Sequence, residues 1–173
     1  MPTPTQTSKC SAPARLALAA LAALSIAGPT HAAPTLGSGF FTTSDGVRLH
    51  YLYSGRGPTL VFVPGWTMPA QIWLPQIRHF ATAYQVVALD PRAQGESAVA
   101  ASGYECERRA QDIKELLDAL RLDTVVLVGW SLGVLESLTY VRLYGTERLH
   151  ALVLIDNSVG EEPPPRSDPT FLE

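Results

Sequence analysis

Cysteine is nearly missing from the 173 residues: there are two, Cys10 and Cys106. Cys10 falls in a stretch that reads as removable, so no intramolecular disulfide is expected. Cys106 falls in the polar start of a helix, where it reads as incidental. Charge is sparse, at 17% of residues, and 13 Lys and Arg face 16 Asp and Glu. Without a basic excess, nucleic-acid binding is disfavoured. No His, Cys and carboxylate group has metal-ligand spacing, and the glycines fit no dinucleotide fingerprint. Neither a metal nor a cofactor is therefore expected. Internal repeats are also missing. Low complexity is confined to the N-terminal run and a proline cluster.

No apolar run reaches the roughly 20 residues that span a bilayer. The longest, Leu16 to Ala27, lies behind Lys9 and Arg15 and is broken by Gly28-Pro29. Thr30-His31-Ala32 then supplies small residues before Ala33. This order of basic, apolar and small residues reads as a secretory signal peptide over 1–32. The product would be exported, to the periplasm or beyond the cell, with no integral membrane segment. Loss of Lys9 and Arg15 leaves 11 bases against 16 acids, a formal charge of −5.

After position 33 the chain alternates. Phe40 to Tyr53 reads as a hairpin around Ser44-Asp45-Gly46, because Asp-Gly favours a tight turn. Continuous apolar, β-branched runs at Thr59–Val63, Gln85–Leu89, Val125–Val128 and Leu149–Ile155 read as buried strands. Between them lie helical patterns at Pro69 to Ala83, Tyr104 to Leu120 and Leu132 to Tyr144. In the second, positions 110, 113, 116, 117 and 120 form one apolar face. The expected architecture is α/β: a mostly parallel sheet that opens with an antiparallel hairpin and carries helices on both faces. Residues 33–160 make this core. Glu161-Glu162-Pro163-Pro164-Pro165 then breaks regular structure, and 161–173 reads as a linker.

The chemistry concentrates where Val125-Val126-Leu127-Val128 runs into Gly129-Trp130-Ser131-Leu132-Gly133 and a helix follows. A strand that turns into a helix within one or two residues forces the apical residue into strained backbone angles. Gly129 and Gly133 must then be small, and the Ser131 hydroxyl is lifted clear of the sheet. The Leu132 N–H points into the same space from the helix N-terminus, where negative charge is favoured.

Four stretches in order resemble the N-terminal half of the α/β-hydrolase fold superfamily. They are Ser44 to Tyr51, Val61-Phe62-Val63-Pro64-Gly65-Trp66, Asp90-Pro91-Arg92-Ala93-Gln94-Gly95-Glu96-Ser97, and the Ser131 turn. The short catalytic loop and Trp130 look most like the esterase and cofactor-free haloperoxidase branch. Pro64 stands where the family has a histidine, and Ala93 where it has a glycine. The resemblance implies a serine hydrolase acting on a carboxylic ester or related small acyl substrate. In it Ser131 is the nucleophile, and the backbone N–H groups of Trp66 and Leu132 form the oxyanion hole. Acyl transfer to peroxide is an alternative.

The family takes its histidine from beyond a strand later than Ile155, so the resemblance provides no catalytic histidine here. His50, His79 and His150 read as surface or structural residues. Asp156, at the end of the last strand, is a possible acid whose more usual role is turning the chain. Glu136 reads as a solvated or partner-facing residue, Asp90 as a loop organiser and Trp73 as core, while Trp66 and Trp130 could line an acyl pocket. A second reading is therefore a sheet fragment, truncated before the last strands of the fold and without hydrolase activity, its last strand left as an exposed apolar edge.

Overall fold

The continuous apolar runs become the centre of a six-stranded sheet. The computed structural model describes residues 34–157. The expected signal peptide and the whole of the 161–173 linker reading concern residues outside that range. The strands are β1 (Gly37–Thr42), β2 (Arg48–Ser54), β3 (Thr59–Val63), β4 (Gln85–Leu89), β5 (Val125–Trp130) and β6 (Leu149–Ile155). Their order across the sheet is β1-β2-β4-β3-β5-β6. The β1–β2 and β2–β4 pairs are antiparallel, and the remaining pairs are parallel.

The pleat sorts the core into two layers. Odd-numbered Val61, Val63, Val87, Leu89, Val125 and Leu127 face α2 (Cys106–Ala119) and α3 (Leu132–Tyr144). Even-numbered Leu60, Phe62, Val86, Ala88 and Val128 face α1 (Leu74–Phe80). Right-handed crossovers require this division. The chain steps from β3 to β4 in one direction, then returns past β3 to β5 and β6 in the other. Helices after β3 and β5 thus leave to opposite faces. A crevice opens between these two strand ends, the usual ligand position in such sheets.

Two expectations need correction. The single helix over Pro69 to Ala83 is instead a 3-10 turn, Ala70–Trp73, followed by α1. Pro75 is the cause. A helix running through it would drive its ring into the carbonyl four residues back, so the α-helix starts afresh with the proline in its first turn. Leu149–Ile155 forms the expected strand but is not covered on both faces: among the described residues it has one neighbour, β5. Val153, Leu154 and Ile155 stay 38–40% exposed.

The hairpin turn is tied to α2 through Arg92. Its Nε and Nη2 donate to Asp112 at 2.6 and 2.7 Å, and its Nη1 and Nη2 donate to Asp45 at 2.6 and 2.9 Å. Arg108 adds contacts to Asp112 and Glu115, and Glu115 in turn accepts from the N–H and hydroxyl of Ser44. Bonding to Arg92 holds the Asp45 carboxyl well below the usual carboxylate range, whereas burial pushes Asp112 up. Removing Arg92 strips the buried Asp112 of one of its two cationic partners and leaves its charge under-compensated, which is costly in a buried pair. Arg92→Met is expected to cost about 3–5 kcal/mol, read as a lowered urea midpoint of unfolding.

Candidate functional site

The C-terminal ends of β3, β4, β5 and β6 share one edge, and each is followed within a few residues by a non-glycine residue at positive φ. These are Thr67 (60°), Ala93 (61°), Ser131 (52°) and Asp156 (56°). Only one other described non-glycine residue, Arg121, does this. Left-handed backbone costs an L-residue roughly 1–2 kcal/mol. Strain of this kind clusters at functional edges, held in place by the surrounding fold.

Ser131 has φ 52° and ψ −118° and stands at the N-cap of α3. Its N–H donates to the Ile155 carbonyl at 2.9 Å, and its own carbonyl accepts from Val134 N–H at 2.9 Å. The Asn157 Nδ2 also donates to that carbonyl, at 2.8 Å. The turn is tightened by close backbone approaches. A methyl on Gly129 would collide with the Gly133 carbonyl, and one on Gly133 with the carbonyls of Val63 and Pro64. The start of α3 therefore rests on the end of β3. A methyl on Gly65 would sit 3.0 Å from Ser131 Cβ, which places the Gly65-Trp66 loop against the serine. Leu132, as the first helical residue, has no acceptor within the helix for its N–H. Trp66 N–H donates to no backbone carbonyl in its loop.

The aromatic side chains divide. Trp73 is core, with its ring centroid 4.7 Å from Phe62. Trp130 meets Trp73 edge-on at 6.3 Å and packs against the same layer. Trp66 is 62% exposed and helps line a cavity of about 420 Å³, along with Thr67, Gln94, Tyr104 and Arg109. A second concavity, around Arg78 to Tyr84, lies just before β4, at the opposite end of the strands.

None of the three described histidines joins Ser131. His50 is fully buried, and its Nδ1 lies 2.7 Å from Asp90 Oδ2. It sits on β2, three strand spacings from β5, or about 14 Å. Asp90 also accepts from Glu96 N–H and from Ala70 N–H, so it organises the loops after β3 and β4. His79 and His150 are exposed, in the last turn of α1 and at the start of β6, away from the strained edge. Asp156 is exposed one residue beyond Ile155, on the same edge as Ser131.

Glu136 overturns the expectation of a solvated residue. It is 1% exposed, and its Oε1 lies 2.6 Å from Arg109 Nε. The cause is geometric. Five residues after Ser131, the α3 face that follows Gly133 turns toward α2, not toward solvent, and Arg109 lies beside α2's apolar stripe. Sequence reasoning gave no role to Arg109 or Asn157. The available signal was an acid and a base on the two helices flanking β5, which is weak without knowing that they pack.

Within this geometry the comparisons are consistent. Residues 58–172 match the alpha/beta hydrolase fold family, and the chain belongs to it. It is 37% identical over 115 residues to non-heme chloroperoxidase CPO-A1 of Kitasatospora aureofaciens, covering 66% of this chain and 42% of that protein. An esterase from Exiguobacterium antarcticum superposes with a TM-score of 0.65 at 28% identity, over 66% of this chain and 43% of the esterase. A bromoperoxidase from Bacillus anthracis gives 0.66 at 29%, over 68% and 44%. The chain spans less than half the length of the curated relatives it matches.

Burial pushes the Glu136 carboxyl up to about 7, against the opposing pull of Arg109. The folded protein then keeps this proton to a higher pH than the unfolded chain, which releases it near the ordinary glutamate value of 4.5. The stabilisation is complete below about pH 4.5 and is lost as pH rises toward 7. Glu136→Gln is expected to remove that decline, so wild type and variant, compared by urea unfolding, should diverge between pH 4.5 and 7 and run parallel above it.

Proposed function

We propose that this chain carries the nucleophile and oxyanion-binding part of a serine hydrolase acting on a carboxylic ester or related acyl compound. The observation that carries the reading is Ser131 at φ 52° between a buried strand and a helix, with the Gly65-Trp66 loop packed against it. An unassisted serine hydroxyl is a weak nucleophile and needs a base. None of the described histidines adjoins Ser131 to accept its proton.

The steps follow from the positions. Ser131 Oγ adds to the acyl carbonyl carbon as its proton passes to the base. The N–H groups of Trp66 and Leu132 take the charge that develops on the carbonyl oxygen. The tetrahedral centre collapses, the bond to the alcohol oxygen breaks, and the base returns the proton to the departing alcohol. Water then adds to the acyl-serine and releases the acid. Asn157 and the Ile155 carbonyl fix the Ser131 backbone, so the hydroxyl need not reorganise. Asp156 is given the role of turning the chain.

The haloperoxidase names among the relatives favour one second reading, transfer of the same acyl group to peroxide instead of water. Both readings share Ser131. With para-nitrophenyl acetate, Ser131→Ala should lower kcat by at least about a thousandfold in a protein whose far-ultraviolet circular dichroism is unchanged. Retained turnover in that variant would contradict the assignment.

A further inference from the structure

Arg109 is 2% exposed, and none of its three guanidinium nitrogens has a hydrogen-bond partner among the described residues. Its Nε is within ion-pair distance of Glu136, but the angle makes no hydrogen bond. A buried guanidinium in this condition is costly, because it has given up water without replacing its bonds. Arg109 is also part of the wall of the cavity that begins at Trp66 and Thr67. Gln94, in the same wall, has a buried side-chain Oε1 without a partner. Its amide can turn to present either the oxygen or the NH2. Two unanswered polar groups in one cavity point to a polar ligand.

The sign of the charge is set by the surroundings. Arg92 borders the cavity too, but its donors are committed to Asp45 and Asp112. Among the described residues Glu136 is the one carboxyl within ion-pair distance of Arg109, and burial, with the nearby Asp112 charge, favours its neutral form. The cavity wall therefore carries an incompletely answered positive charge. A guanidinium matches a planar, two-oxygen anion through paired N–H donors. Tyr104 and Trp66 supply apolar surface on the way to it.

We propose that this cavity is a subsite for a carboxylate carried on the acyl substrate, with Arg109 as the residue that selects it. The inference rests on the serine hydrolase reading, because Trp66 belongs both to the cavity wall and to the proposed oxyanion loop. The substrate class is then an ester whose acyl chain ends in a carboxylate, such as a half-ester of a short dicarboxylic acid.

The test compares mono-para-nitrophenyl glutarate with para-nitrophenyl pentanoate, which has the same chain length without the charge, on the protein expressed from its own gene. The charged ester should be favoured in kcat/KM by at least tenfold. In Arg109→Leu combined with Glu136→Gln, which leaves no lone buried charge, the ratio should collapse to near one. In parallel, calorimetry with glutarate should show binding to Ser131→Ala that disappears when the Arg109 and Glu136 changes are added. Turnover of the pentanoate ester with no preference for the charged one overturns the subsite and leaves the hydrolase reading intact. Glutarate binding through Arg109 without an ester preference makes this a site for a free anion and likewise overturns the proposal. No turnover of either ester defeats the hydrolase reading, and the substrate subsite with it.

Discussion

Everything at the strained edge depends on how closely α3 approaches the end of β3. Carbonyl oxygens of Val63 and Pro64 occupy the space that a side chain at Gly133 would need, and the Gly133 carbonyl fills that of Gly129. With no room for two methyl groups, β5 can turn into α3 within one residue. Ser131 takes the backbone conformation that this turn demands. The same contact seats Gly65 against the serine, so the Gly65-Trp66 loop and the hydroxyl are positioned by one packing event.

The remaining loops are held by buried polar groups. Asp90 gathers His50 and two backbone N–H groups from the flanking loops, and Arg92 joins the hairpin turn to α2. Both residues lie within three positions of the end of β4 and are buried. Such pairs are weak evidence for net stability, since desolvation offsets much of their attraction. Their consequence is geometric. They hold Thr67 and Ala93 at backbone angles that isolated chains avoid, and so fix the rim of the cavity.

Much of this was legible in the residues. Thr59–Val63, Gln85–Leu89, Leu132–Tyr144 and Leu149–Ile155 have the bounds that their apolar runs imply; for β3 and β4 the reason is that a strand covered on both faces shows as one continuous apolar run. The turn at Ser131 was legible from its two glycines. The charged interior was not. Glu136 and Arg109 lie beside apolar stripes, and whether such a residue meets solvent or another helix depends on packing that no local pattern encodes. Positive φ at Thr67 and Ala93 was equally hidden, since neither residue type favours it. The exposure of β6 follows from its place at the edge of the described sheet, which the fragment reading expected and which the apolar run by itself does not distinguish from a centre.

The fold and the family match define the class of this chain, and a single strained serine carries the proposed chemistry. Reaction of the protein, expressed from its own gene, with a fluorophosphonate probe tests that assignment most directly. The probe forms a stable adduct only with a serine that has an activating base and an oxyanion site. Peptide mass spectrometry should find one equivalent of label on Ser131, and none on a Ser131→Ala variant. A folded protein that takes up no label, or carries it on a different serine, would contradict the account.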